Sequence, residues 1–268
     1  MDFIIFNGIT GYVTMFKNIF LKGFGLNFNN GIRGSLPRLE FDDEVNSKIK
    51  ELMSNRSNLP TLSAIYRVKN VEHCLEVSVC SIAPICSEII IVDNGSTDNT
   101  LFVAERIKNL LEGKVAVRVY EYHNQLAIAG ENYRQELNSK NSLAKFYTFC
   151  FSKGSSSYLM KCDAHLIYLP SALSVIQKKL SAFPRVLMLR GQEIYGMKLS
   201  FEKYIFKNDN NFRYEDGEQY EELKFNFEMS LLEKIRNTIF NPSFIHFKRI
   251  KYVCMRTDNP VKELYSSK

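Results

Sequence analysis

The sequence predicts an α/β fold, a mostly parallel sheet flanked by helices with additions at both ends, on three observations. Between Leu62 and Leu189 short apolar segments alternate with stretches of helical periodicity, the β-α-β succession that builds parallel sheets. Ile89, Ile90, Ile91 and Val92 form an unbroken β-branched run, as expected of a strand buried on both faces. The 268-residue chain is 45% hydrophobic and 24% charged, an ordinary globular composition that excludes disorder and collagen-like repeats.

In order along the chain, residues 29–37 (NNGIRGSLP) are rich in turn formers and read as a linker. Val45, Ile49, Leu52 and Met53 mark one face of a helix over 42–54. A strand follows over 62–66. Asn70 stands where it can cap a helix carrying Val71, Cys74, Leu75, Ser78 and Val79. After the strand at 89–92, Thr97 or Asp98 can cap the helix of Val103, Ala104, Ile107 and Leu111, which Gly113 stops. Val115, Val117 and Val119 alternate in a third strand. Leu143, Tyr147 and Cys150 predict a helix, 158–162 a strand, Leu173, Ile176 and Leu180 a helix, and 186–189 a strand. Beyond about Lys198 the pattern weakens to a polar, aromatic stretch, a helix over 231–239 and a basic tail.

Lysine plus arginine exceed aspartate plus glutamate by 35 to 29, which gives +6. This mild, dispersed excess suits an anionic ligand or an acidic membrane surface and gives no argument for nucleic acid. None of the six cysteines forms a C-x-x-C pair, so zinc-ribbon and thioredoxin readings fail, and reduced cytosolic thiols are expected. The first thirty residues carry seven Phe or Tyr and few charges. They lack a signal-peptide pattern, and Gly8, Gly11 and the lysines break any membrane-spanning run. Two readings fit: a segment packed on the main domain, or an aromatic strip resting peripherally on a membrane.

Open α/β sheets bind ligands beyond the carboxyl ends of their strands. The residues just past the strands here are Tyr66 to Asn70, Asp93 to Asp98, His123 to Gln125, and Asp163 to His165. Asp93 can accept hydrogen bonds from a ligand or simply close an Asx turn. Asp163 and His165, at i and i+2, can share one divalent cation, with His246 as third ligand, or can be a solvated turn. The acidic stretch from Glu215 to Glu222 can supply a general base or be a charged loop.

Taken together, residues 62–70 (LSAIYRVKN), 89–100 (IIIVDNGSTDNT) and 160–165 (MKCDAH) resemble the GT-A glycosyltransferases, family 2 most closely, over about half the chain. The resemblance implies a Rossmann-like GT-A domain over 61–268, with a nucleotide-binding half at 61–195 and an acceptor-side region at 196–268. Residues 1–60 are then an aromatic extension and helix packing on it. It also implies transfer, with inversion, from a nucleotide-diphosphate sugar, UDP-linked, to a glycan or lipid-linked acceptor in surface polysaccharide synthesis. The reaction would use Mn2+ or Mg2+, in the cytoplasm or on the inner face of the membrane. Tyr66, Arg67, Asn70, Asp93, Asn94, Lys161 and Asp163 would bind the donor. Asp163, His165 and His246 would hold the metal, with His165 replacing the second aspartate of the usual D-x-D. The base would come from the Glu215-Asp216 pair, with Glu221 as the alternative. A non-catalytic nucleotide-sugar-binding protein that keeps the fold is the competing reading.

Overall fold

Ile89, Ile90, Ile91 and Val92 are all fully buried, as a strand covered on both faces must be. The computed structural model describes residues 38–194 and 196–248; the aromatic N-terminal segment and the 29–37 linker lie outside the described residues. In chain order the elements begin α1 (Arg38–Asn55), β1 (Leu62–Val68), α2 (Leu75–Ile82), β2 (Glu88–Asp93), α3 (Thr100–Leu110) and β3 (Ala116–Glu121). Next come α4 (Tyr133–Glu136), α5 (Leu143–Phe151), β4 (Tyr158–Cys162), β5 (Leu166–Tyr168), α6 (Pro170–Leu180), β6 (Val186–Leu189) and β7 (Gly191–Glu193). The chain continues through β8 (Glu202–Lys207), β9 (Phe212–Asp216), β10 (Glu221–Phe225), α7 (Leu231–Arg236) and β11 (Phe244–His246).

The central sheet runs β3-β2-β1-β4-β8-β6. Pairings β3 to β2, β2 to β1 and β1 to β4 are parallel, whereas β8 is antiparallel to both neighbours. Alternation along the strands sends side chains into two cores. Ala64, Tyr66, Ile89, Ile91 and Met160 pack with α2, α3 and α6 on one face. Ile65, Ile90, Val92, Leu159 and Phe206 pack with Ala144, Phe146, Cys150 and Phe151 of α5 and Tyr214 of β9 on the other. Helix α1 is tied to the first of these layers through buried Leu52, whose carbonyl accepts from Gln177 Nε2 at 2.8 Å.

Three sequence expectations change. Asn70 does not cap α2, which starts at Leu75. Asn70 sits in the left-handed region (φ 52°) and its Oδ1 accepts from Thr97 N at 2.8 Å, joining the β1 and β2 loops. The polar stretch after Lys198 contains four strands among the described residues, one of which, β8, is inserted between β4 and β6, so strands from before and after residue 195 share one sheet. The helix over 231–239 stops at Arg236, because Met188 N donates to Asn237 O and Ile239 N to Met188 O, drawing 237–239 alongside β6. No helix among the described residues is long and apolar enough to cross a membrane. Cysteines 74, 80, 86, 150 and 162 are free, and Cys254 lies outside the described residues.

A second sheet, β5-β11-β7, lies at the end of β4. It aligns His246 with Leu166 on one side and with Glu193 on the other. Phe244, fully buried, fills the space above Gly191, where any added Cβ would overlap its ring. Gly191→Ala is therefore expected to cost about 1–3 kcal/mol in denaturant unfolding, because the Phe244 ring has nowhere to move; an unchanged midpoint would mean that β11 is loosely held.

Candidate functional site

The centre of the site is Arg67 at the carboxyl end of β1. Its side chain is only 4% exposed, although it carries a full charge. Nη2 donates to the Cys162 carbonyl at 3.1 Å and forms an ion pair with Asp163 Oδ1. The guanidinium lies 4.3 Å from the Tyr147 ring centroid and 5.8 Å from that of Phe151, one turn further along α5. Nε and Nη1 are buried without a hydrogen-bond partner, as is the Tyr214 hydroxyl, whose ring lies 5.1 Å from that of Tyr147. Each buried donor left unmatched costs about 1–3 kcal/mol, which the aromatic faces of Tyr147 and Phe151 offset only in part.

Asp163 is half-exposed at 49%. Partial burial pushes its carboxyl pKa up, but Arg67, Lys161 and His165 outweigh that and hold it below the usual value. Lys161 itself donates to Glu202 at 2.7 Å and lies 5.0 Å from the Tyr204 ring. His165 is pushed down to about 4, by burial first and then by Lys248 and His246, so its imidazole is neutral near pH 7. Phe247 N donates to the His165 carbonyl at 3.0 Å, which ties the Asp163-Ala164-His165 turn to the end of β11. His246 Nδ1 lies 3.1 Å from Oε1 of Glu193, a carboxylate only 2% exposed, in the manner by which a second carboxylate fixes a metal-binding imidazole. Among the described residues no three His, Cys, Asp or Glu side chains are gathered into a ready ion cage. The donor chemistry nevertheless fits a divalent cation: an ionised carboxylate, a neutral imidazole, and a second imidazole oriented by a carboxylate.

Several expected donor contacts are placed elsewhere. Tyr66 is fully buried in the layer beneath the sheet, its hydroxyl 3.1 Å from Ser78 Oγ; a ligand cannot reach it. Asp93 is 1% exposed and accepts from Ser96 N at 2.9 Å and from Ser96 Oγ, the bonds of an Asx turn. Asn94, also buried, donates to the carbonyls of Tyr122 and Asn124 at 2.9 and 2.8 Å and ties the β2 and β3 loops together.

The acidic stretch is a hairpin, β9–β10, rather than a loop, and it separates the three carboxylates. Glu215 is exposed and paired with Arg213 at 2.6 Å. Asp216 accepts from the Tyr133 hydroxyl, from Ser142 Oγ and from Ala144 N (2.9 Å), at the first turn of α5. Burial raises its pKa, but those donors outweigh it and hold it low. A carboxylate so occupied is a structural clasp and a poor base. Glu221 differs: burial raises its pKa, and its own backbone amide, Tyr147, Arg67 and Lys161 offset that only in part. Of the expected base candidates, Asp216 is thus the one engaged by three donors and Glu221 the one whose proton affinity is raised. Sequence reasoning missed Tyr147 and Tyr214 as site residues; the run Phe146-Tyr147-Thr148-Phe149-Cys150-Phe151 was the available signal, with Tyr147 and Phe151 four apart on one helix face.

The fold and site define an α/β protein with a mixed sheet that gathers a buried arginine, an aspartate of lowered pKa and a glutamate of raised pKa near its carboxyl edge, where open sheets bind ligands. The chain belongs to glycosyl transferase family 2, whose model matches residues 63–249. Among solved structures it is similar to S. aureus TarS 1-349 (15% identity, TM-score 0.48), matching 70% of this chain and 60% of that one. It is also similar to glucosyl-3-phosphoglycerate synthase from Mycobacterium tuberculosis, crystallised with Mn2+, UDP and phosphoglyceric acid (19% identity, TM-score 0.37), matching 54% of this chain and 47% of that one. The same synthase has been crystallised with Mg2+ and UDP. The chain spans 60% of the TarS 1-349 chain and 37% of the longer TarS chain. No curated protein matches it.

Asp216→Asn keeps the shape and removes the charge, and is expected to lower stability at neutral pH by about 2 kcal/mol. Because the Asp216 pKa is depressed in the folded state, the wild-type advantage exists above the ordinary aspartate pKa and disappears as pH falls through the depressed value. Melting curves of the two proteins should converge in acid; a constant gap would assign the loss to shape rather than charge.

Proposed function

We propose that this chain transfers a sugar from a nucleotide-diphosphate donor, UDP-linked, to a hydroxyl of a glycan or lipid-linked acceptor, with inversion at the anomeric carbon, in surface polysaccharide synthesis. The observation that carries the reading is Arg67, a buried guanidinium with two unmatched N–H donors beside the ionised Asp163. Those donors suit diphosphate oxygens, and Lys161 adds charge nearby. Asp163, His165 and His246 are the residues that would hold Mn2+ or Mg2+. When bound, such an ion offsets negative charge on the departing diphosphate.

Glu221 takes the proton from the acceptor hydroxyl as its oxygen bonds to the anomeric carbon. The bond from that carbon to the diphosphate oxygen breaks, and the nucleoside diphosphate leaves with the electron pair. One displacement of this kind inverts the centre. The support for Glu221 is its raised pKa beside Arg67 and Tyr147, close to the place where donor and acceptor would meet. Tyr147 and Phe151 keep water from the inner face of Arg67, which strengthens its hold on an anion.

Three measurements check this. Arg67→Met fills the same space without the charge, so the thermal shift given by UDP to the folded variant is expected to disappear. A retained shift would move the diphosphate elsewhere. Glu221→Gln is expected to lower kcat by about 10²–10⁴-fold with UDP binding intact. In the wild type, kcat/KM should rise with pH through a value above the usual glutamate range, since the base acts only when deprotonated; a rising limb that survives in Glu221→Gln belongs to another group. Asp163→Ala should lose the rise in melting temperature that Mn2+ gives the wild type, and an undiminished rise would remove this residue from the ion site.

A further inference from the structure

Helix α7 and the residues after it carry an exposed apolar surface that the transfer reaction does not use. Of the ten large apolar side chains exposed among the described residues, four fall within ten positions: Leu231 (72%), Leu232 (79%), Ile235 (51%) and Phe240 (56%). The helix buries none of its own residues, so its sequence is not explained by packing. It is nevertheless well held. Ser230 Oγ accepts from Glu233 N, Glu233 pairs with Arg185, and residues 237–239 run beside β6. Phe240 rests edge-on against Phe201, 5.8 Å between centroids, and Phe201 in turn faces Arg190, 4.6 Å from its ring.

Cations outnumber acids around this surface. Lys234 and Arg236 lie in the last turn of α7, and Lys179 Nζ donates to the Arg236 carbonyl. Lys203 lies close enough to Lys234 and Lys224 that, after burial, they lower its pKa. Two of the acids nearby are engaged, Glu233 with Arg185 and Glu222 with Lys224, while Glu228 is exposed. Arg190 has no hydrogen-bonded or ion-paired side-chain partner among the described residues, only the Phe201 ring. Exposed leucines and an isoleucine on a fixed short helix, bordered by mutually repelling cations, are the composition of an interfacial surface: aliphatic groups enter the acyl boundary while lysine and arginine meet lipid phosphates.

We propose that this face, Leu231, Leu232, Ile235 and Phe240 with Lys203, Lys234 and Arg236, docks the protein on an anionic bilayer. The proposal is independent of the donor chemistry, and its readout does not use turnover. The full chain is sedimented with vesicles of phosphatidylcholine alone and with vesicles that also contain phosphatidylglycerol. Binding is expected only with the anionic lipid and should weaken as salt rises. L231S/L232S is expected to bind at least about tenfold more weakly, with an unchanged melting temperature because both side chains are already in water. K234E/R236E should lose the preference for anionic lipid. Absence of wild-type binding would overturn the proposal, as would L231S/L232S binding like wild type, which would place any membrane contact on another segment. Light scattering that shows a dimer broken by L231S/L232S, with vesicle binding unaffected, would assign the face to a second copy and overturn it equally.

Discussion

The site depends on one electrostatic constraint: a guanidinium almost out of contact with water, neutralised on one side only. The sheet register puts Tyr66 opposite Cys162 and hence Arg67 beside Asp163, and α5 closes over the other side with Tyr147 and Phe151. A fully matched pair at this depth would be a structural brace. Here Nη2 has two acceptors while Nε and Nη1 have none, so the fold carries an unfavourable term that the proposed diphosphate would relieve. The two hydrophobic layers on either side of the sheet make that term tolerable.

The same logic of satisfied and unsatisfied groups separates the acidic side chains of the hairpin. Asp216 gathers three donors at the start of α5 and thereby fixes β9 against the helix that shelters Arg67. Glu221, across the hairpin from Asp216, is partly withdrawn from water with less compensation, and its proton affinity rises. Two carboxylates in register on neighbouring strands are thus pushed in opposite directions by their surroundings. One is held ionised as a clasp, and the other keeps a higher affinity for a proton.

Two late strands shape the rest of the edge. Strand β8 enters the central sheet in reverse and brings Glu202 to Lys161, and β11 lies between β5 and β7 and brings His246 level with the turn that carries Asp163 and His165. Gly191 makes room for the Phe244 ring at the centre of that second sheet, and so for the position of His246 two residues on.

The sequence alone determined the alternation of strands and helices, because buried parallel strands and amphipathic helices have distinct periods. It pointed to Arg67, Asp163 and His165 by position after a strand, to His246 by residue type, and to Glu221 only as the alternative to the Glu215-Asp216 pair. It did not reveal β8 or the β9–β10 hairpin, whose half-exposed strands carry charged and aromatic residues without clean alternation. Nor could it rank Asp216 against Glu221, or show that Tyr66 and Asp93 are turned inward. Those outcomes depend on hydrogen-bond partners and burial supplied by distant segments: Tyr133 and Ser142 for Asp216, Tyr147 for Glu221, Ser78 for Tyr66. Local sequence sets which backbone conformation a segment prefers; only tertiary packing decides which polar groups meet a partner and which are left open to a ligand.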